Sequence, residues 1–203
     1  MIELLVVIAI IALMTALTMQ SFQSYTRSFS LTTASAYLRD GLELARQTAV
    51  SKNSTVEVRF YQLPASSSST LSGYCAFQAF LKGNLTPPTY TAITAIIYFP
   101  RSIVLSTDST KTSFLTLSGQ PAAGSSPPSS ATPISLPTCG TNYNYLYFCY
   151  TPSGGTNLSP TGSWFATLVP ENAPTSTSNG GLPTDFATVQ VDPVMGNARV
   201  YHP

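Results

Sequence analysis

At 203 residues the chain is long enough for one domain with a real hydrophobic core. Its charge is nearly balanced, 9 Lys+Arg against 8 Asp+Glu, and charged residues make up only 8% of it, where soluble domains carry about 25%. Ser, Thr, Asn, Gln and Tyr must cover the surface instead, which suits an extracytoplasmic or densely packed protein and argues against nucleic-acid binding through a basic patch.

The N-terminus is the most informative stretch. Residues 4–19 read LLVVIAIIALMTALTM, uncharged, with only Thr15 and Thr18 as mild polar interruptions. As a helix, residues 1–19 would rise about 28 Å, close to the ~30 Å hydrocarbon core of a bilayer. A secretory signal peptide would need a basic segment first and a small-residue cleavage site after it, yet no Lys or Arg occurs before Arg27. Because the run is apolar on every side, a core helix with one buried face does not fit either. A membrane helix over 1–25 is the expectation. Glu3 stands at its start, either as a solvated acid favoured by the helix dipole or as a carboxylate with an assigned partner.

Further along, Leu31, Ala34, Leu38, Leu42, Ala45 and Ala49 are spaced three and four apart and fall on one helical face. Arg39, Asp40, Glu43, Arg46 and Gln47 occupy the rest of the cylinder. The same helix should therefore continue as an amphipathic half over 26–53, with Lys52 and Asn53 closing it. From Thr55 the period changes to two. Val56, Val58 and Phe60 alternate with Glu57, Arg59 and Tyr61, the pattern of a half-buried strand. Further strands are expected at 74–80, 91–99, 113–118, 143–150, 164–169, 186–191 and 198–201. They are separated by Ser/Thr/Pro/Gly-rich loops at 64–73, 119–138, 151–163 and 170–184. The predicted fold is α+β: a long N-terminal helix, membrane half plus amphipathic half, packed on an antiparallel β domain over 54–203, in two small sheets.

Three cysteines, Cys75, Cys139 and Cys149, lie in the polar part of the chain, none in a CxxC pair, and His202 is the lone histidine. A zinc site is not expected. Cys139 and Cys149 are closest in sequence, and a disulfide between them with Cys75 free is the pairing expected after export; three reduced thiols are the alternative. No catalytic constellation is visible. A triad would have to use His202 beside the C-terminus, Asp40 and Glu43 have basic neighbours, and Gly154-Gly155 and Gly180-Gly181 have no following helix to make a phosphate loop. Neither enzymatic activity nor a cofactor is expected.

The run IELLVVIAIIALMTALT resembles the N-terminal signature of type IV pilins and type II secretion pseudopilins, whose mature chains open Phe-Thr-Leu-Ile-Glu-Leu-Leu-Val-Val-Ile-Ala-Ile-Ile; residues 2–11 match it residue for residue. The block YLRDGLELARQTAVSKNSTVEVRF (37–60) resembles the GspH/FimT group of pseudopilins, and FATVQVDPVMGNARVYHP (186–203) is similar to the C-terminal hairpin of prepilin-like proteins from verrucomicrobial gene cassettes. About a third of the chain is covered; 61–185 matches no family pattern.

The resemblance implies a structural minor pilin or pseudopilin, a single-pass protein of the bacterial inner membrane with its globular domain in the periplasm or in an extracellular filament. It implies other pilin subunits as partners through the N-terminal helix. Glu3 then falls on the family's assembly glutamate, which neutralises the N-terminal ammonium of a neighbouring subunit in the apolar filament core. Leu4, Leu5, Val6, Val7, Ile8, Ile10, Ile11 and Leu13 would form the membrane and filament-core surface. Two departures stand out: Met1 replaces the family's Leu, implying a longer precursor with a leader for the prepilin peptidase, and Gln20 stands near the usual kinking proline, implying a straighter helix. Two other readings remain. FimT-like minor pilins bind DNA for natural transformation through a basic C-terminal region, here reduced to Arg199 and His202 with Asp192 opposing them. A signal-anchored periplasmic β-domain would have no need of Glu3.

Overall fold

A computed structural model describes residues 2–62, 73–86, 88–100, 102–117, 143–171 and 181–203; within its helix the side chains of Ile2, Leu5 and 16–24 lie outside that description. Among the described residues one α-helix, α1 (Ile2–Ser51), leads into nine strands: β1 (Val56–Gln62), β2 (Ala76–Lys82), β3 (Tyr90–Ala92), β4 (Ile97–Tyr98), β5 (Ile103–Leu105), β6 (Asn144–Tyr150), β7 (Trp164–Pro170), β8 (Ala187–Val191) and β9 (Ala198–Tyr201). A one-turn 3₁₀ helix, Ser113–Thr116, lies between β5 and β6. All pairings are antiparallel. One sheet has the order β3-β2-β1-β6, with β4 also on β2, and the other runs β5-β7-β8-β9. The fold is α+β, a helix on two antiparallel sheets.

The amphipathic face of α1 packs as its spacing predicts. Leu31, Ala34, Leu38, Leu42, Ala45 and Ala49 are all buried and join one core with Val58 and Phe60 of β1, Leu168 of β7 and Val189 of β8. The helix thus bridges both sheets, and its small residues let it approach them closely. Gly41 is the extreme case: a Cβ there would collide with Cε2 of Phe77 on β2, so the missing side chain is where the ring sits. At the other end Asn53 adopts φ 47°, its N–H donates to the Val50 carbonyl and that of Ser54 to the Ala49 carbonyl. This Schellman closure satisfies two of the last helical carbonyls, with Asn in the left-handed position usually held by Gly.

Arg46, on the flank of α1, ties the helix to both sheets. Its Nε donates to the carbonyls of Gly154, after β6, and Met195, in the β8–β9 turn, at 3.1 and 2.8 Å. In that turn the Asp192 carboxylate accepts from the backbone N–H groups of Val194 and Met195, and Gly196 takes φ 70°. The C-terminal hairpin implied by the resemblance over 186–203 is present, with Val191 opposite Ala198 and Val189 opposite Val200.

Several expectations need correction. The 91–99 strand is two short ones, β3 and β4, separated by a bend, and both pair with β2. Residues 113–116 form the 3₁₀ turn, which points Phe114 into the core against Phe148 at 5.1 Å between ring centroids. Burial of one aromatic ring outweighs the local strand preference there. β5 was not foreseen; its three residues are all buried and too few to show a period. Most consequential, β1 is buried on both faces: Glu57, Arg59 and Tyr61 are as enclosed as Val56, Val58 and Phe60.

Candidate assembly interface

Among the described side chains of α1 the first buried one is Leu31, and Tyr25 and residues 26–29 are exposed. At 1.5 Å per residue, the helix from Glu3 to Leu31 is an arm of about 42 Å reaching out from the domain. Leu4, Val6, Val7, Ile8, Ile10, Ile11, Leu13 and Met14 lie on it with 52–68% of each side chain exposed. Successive positions rotate by about 100°, so these eight spread over roughly 220° of the cylinder, and the exposed Ala9 and Ala12 lie in the remaining sector. The Leu5 side chain is outside the described residues. Among the described residues no helix is long and apolar enough to cross a membrane; described side chains in the apolar run end at Thr15, while the run in sequence continues to Met19.

Three threonines of α1 bond back to the preceding turn. Thr15 donates its hydroxyl to the Ile11 carbonyl, and Thr32 and Thr33 do the same to Ser28 and Phe29. Such back-bonding to the preceding turn lets Thr sit on a helix facing apolar surroundings. Glu3 is exposed in the first turn, and among the described residues no cation pairs with it. Exposed apolar and aromatic residues continue along α1, Tyr25 and Phe29 on the arm and Tyr37 and Leu44 beyond it, 69, 64, 49 and 44% exposed, away from the core.

The outer face of the first sheet holds polar chemistry that sequence reading missed. Arg59 Nε donates to Glu57 Oε1 at 2.6 Å, with the two side chains 1% and 3% exposed. The guanidinium lies 4.7 Å from the Phe80 ring, 4.5 Å from Tyr90 and 5.0 Å from Tyr145, within cation–π range of all three. Burial alone would lower the Arg59 pKa, but attraction and hydrogen bonding from Glu57 outweigh it and the net shift is upward. Burial, then the Glu57 charge, pushes Tyr90 and the Cys149 thiol each up to about 12; burial likewise takes Tyr145 to about 12. Charges two apart on a strand with aromatics on the neighbouring strands were the available signal. The site is enclosed and self-neutralised, so it reads as an element of the fold.

Cys149 is a buried free thiol on this face, opposite Glu57 in register, and Cys139, its expected partner, lies outside the described residues. Cys75 is buried, its thiol donating weakly to the Tyr61 carbonyl. Arg199 and His202 are exposed at the C-terminal edge, and Arg199 borders a small polar cleft with Gln190, Asp192 and Asn197. No group of three or more His, Cys, Asp or Glu among the described residues is placed to hold a metal. No protein-family model matches the chain, and no curated protein or solved structure matches it.

Proposed function

We propose that the chain is a structural subunit of a pilus-like or pseudopilus filament, held in a bacterial inner membrane by the N-terminal half of α1 before assembly, with its β domain on the outer side. The observation that supports this most is the apolar arm headed by Glu3. Eight large apolar side chains exposed along the arm leave a great deal of apolar surface in water. At about 1.5–3 kcal/mol for each such side chain fully buried, an apolar medium or a bundle of like helices stabilises the arm by on the order of 10 kcal/mol. Lipid serves before assembly, and neighbouring arms serve after it.

Glu3 separates this reading from a plain membrane anchor. A carboxylate at the edge of an apolar bundle is costly unless it meets a cation, and the N-terminal ammonium of a neighbouring subunit supplies one. Glu3→Gln keeps the size and removes the charge. The variant should fractionate with membranes like the wild type while its amount in sheared filaments falls at least tenfold. Wild-type recovery in the sheared fraction rejects the filament role for Glu3; absence of the unaltered chain from any sheared fraction favours the signal-anchored domain.

A further inference from the structure

We propose that Asn84 is a site of N-linked glycosylation, the donor being a polyprenyl-pyrophosphate-linked oligosaccharide; this rests on the outward placement of the β domain proposed above. Three Asn-x-Ser/Thr tripeptides occur in the described chain: Asn53-Ser54-Thr55, Asn84-Leu85-Thr86 and Asn157-Leu158-Ser159. The motif requires a hydroxyl two residues after the amide and a surface position. Chance supplies such tripeptides in a chain rich in Ser and Thr, so the motif alone decides nothing. Structure divides the three.

Asn157 is already used. Its Oδ1 accepts the Cys149 N–H at 2.8 Å, Leu158 is buried, and the Ser159 carbonyl accepts the Trp164 indole N–H. Presenting this amide to an enzyme would dismantle a turn. Asn53 closes α1 at positive φ, and the Thr55 carbonyl is held by the Lys82 N–H. That tripeptide is fixed at both ends.

Asn84, Leu85 and Thr86 differ. They project from the turn between β2 and β3, all three exposed, and neither the Asn84 amide nor the Thr86 hydroxyl has a hydrogen-bond partner among the described residues. Leu85 is 69% exposed, an apolar side chain left in water between two uncommitted polar ones. Beside them Thr55, Lys82, Gly83 and Pro88 complete an open, largely polar cleft of about 380 Å³. A first sugar linked to Asn84 has room there to place its hydroxyls near Lys82 and its C–H face over Leu85. In the transfer, the Asn84 amide nitrogen attacks C1 of the donor sugar. The new C–N bond forms as the C1–O bond to pyrophosphate breaks, the polyprenyl pyrophosphate leaves with that electron pair, and the amide proton passes to a base of the transferase.

The test is peptide mapping of the full chain purified from its native cells. Trypsin isolates residues 53–59 and 83–101 as separate peptides, because Lys52, Arg59, Lys82 and Arg101 bound them. Peptide 83–101 should carry a hexose- or N-acetylhexosamine-containing mass that N84Q abolishes, while 53–59 and the peptide containing Asn157 run at unmodified mass. Peptide 83–101 wholly at unmodified mass, or a glycan confined to Asn53 or Asn157, overturns the inference. Protease accessibility of the β domain in spheroplasts, measured alongside, separates the two failures. An accessible, unmodified domain leaves the outward placement standing; a protected one removes it as well.

Discussion

The Glu57 carboxylate and the Arg59 guanidinium, two residues apart on one face of β1, meet at 2.6 Å with neither side chain more than 3% exposed. Removing one partner leaves a buried charge uncompensated. Glu57→Leu should therefore destabilise the domain by about 3–5 kcal/mol. The double variant Glu57→Leu, Arg59→Met removes both charges and should recover most of that loss. Urea unfolding of the detergent-solubilised chain measures both, and a double variant no more stable than the single would show that the pair itself is net stabilising.

Gly41 faces Phe77 so closely that a methyl group cannot enter without moving the ring. Alanine would ordinarily gain up to about 1 kcal/mol in a helix interior, but overpacking a buried ring costs about 1–3 kcal/mol. Gly41→Ala should lower stability on balance. Pairing it with Phe77→Leu should return part of the loss, and additive effects of the two changes in thermal unfolding would refute the contact.

Tyr150 is buried in the main core, and its hydroxyl has no hydrogen-bond partner among the described residues. An unpaired hydroxyl in an apolar site is a net cost. Tyr150→Phe should stabilise the chain by about 1 kcal/mol, or raise its melting temperature by about 2–4 °C at this size. A drop in melting temperature would mean that the hydroxyl is bonded after all.

Alkaline pH should weaken the fold. Cys149, Tyr90 and Tyr145 titrate near 12 in the folded chain, above their ordinary values of 9.0 for the thiol and 10.0 for the phenols. Below about pH 8 both states hold these protons and stability is indifferent to them. From about pH 8 to 12 the unfolded chain releases protons that the folded chain retains, the thiol first, so stability falls as pH rises. Native Cys149 should also resist iodoacetamide at pH 8.5 and react on denaturation, since the thiolate is the nucleophile. Rapid alkylation of the native thiol would contradict its burial.

The local features of this fold follow from spacing alone. Six residues three and four apart, from Leu31 to Ala49, define the buried face of α1 because helical periodicity places them together wherever the helix packs. Asn53 ends it because its short side chain tolerates positive φ, and Asp192 and Gly196 close the last turn through a carboxylate acceptor and a glycine backbone. The uncharged run after Glu3 shows equally directly a helix with no face reserved for water. Tertiary structure alone decided which strand lies in the middle of a sheet. Glu57, Arg59 and Tyr61 alternate with apolar residues as on any edge or half-exposed strand, and they are buried because β2 and β6 flank β1 and bring aromatic rings around the guanidinium. Nor could spacing show that Gly41 makes room for Phe77, or that Phe114 leaves a strand-like segment to stack on Phe148. Those outcomes depend on residues far apart in the chain competing for one volume, and a periodicity carries information only about neighbours.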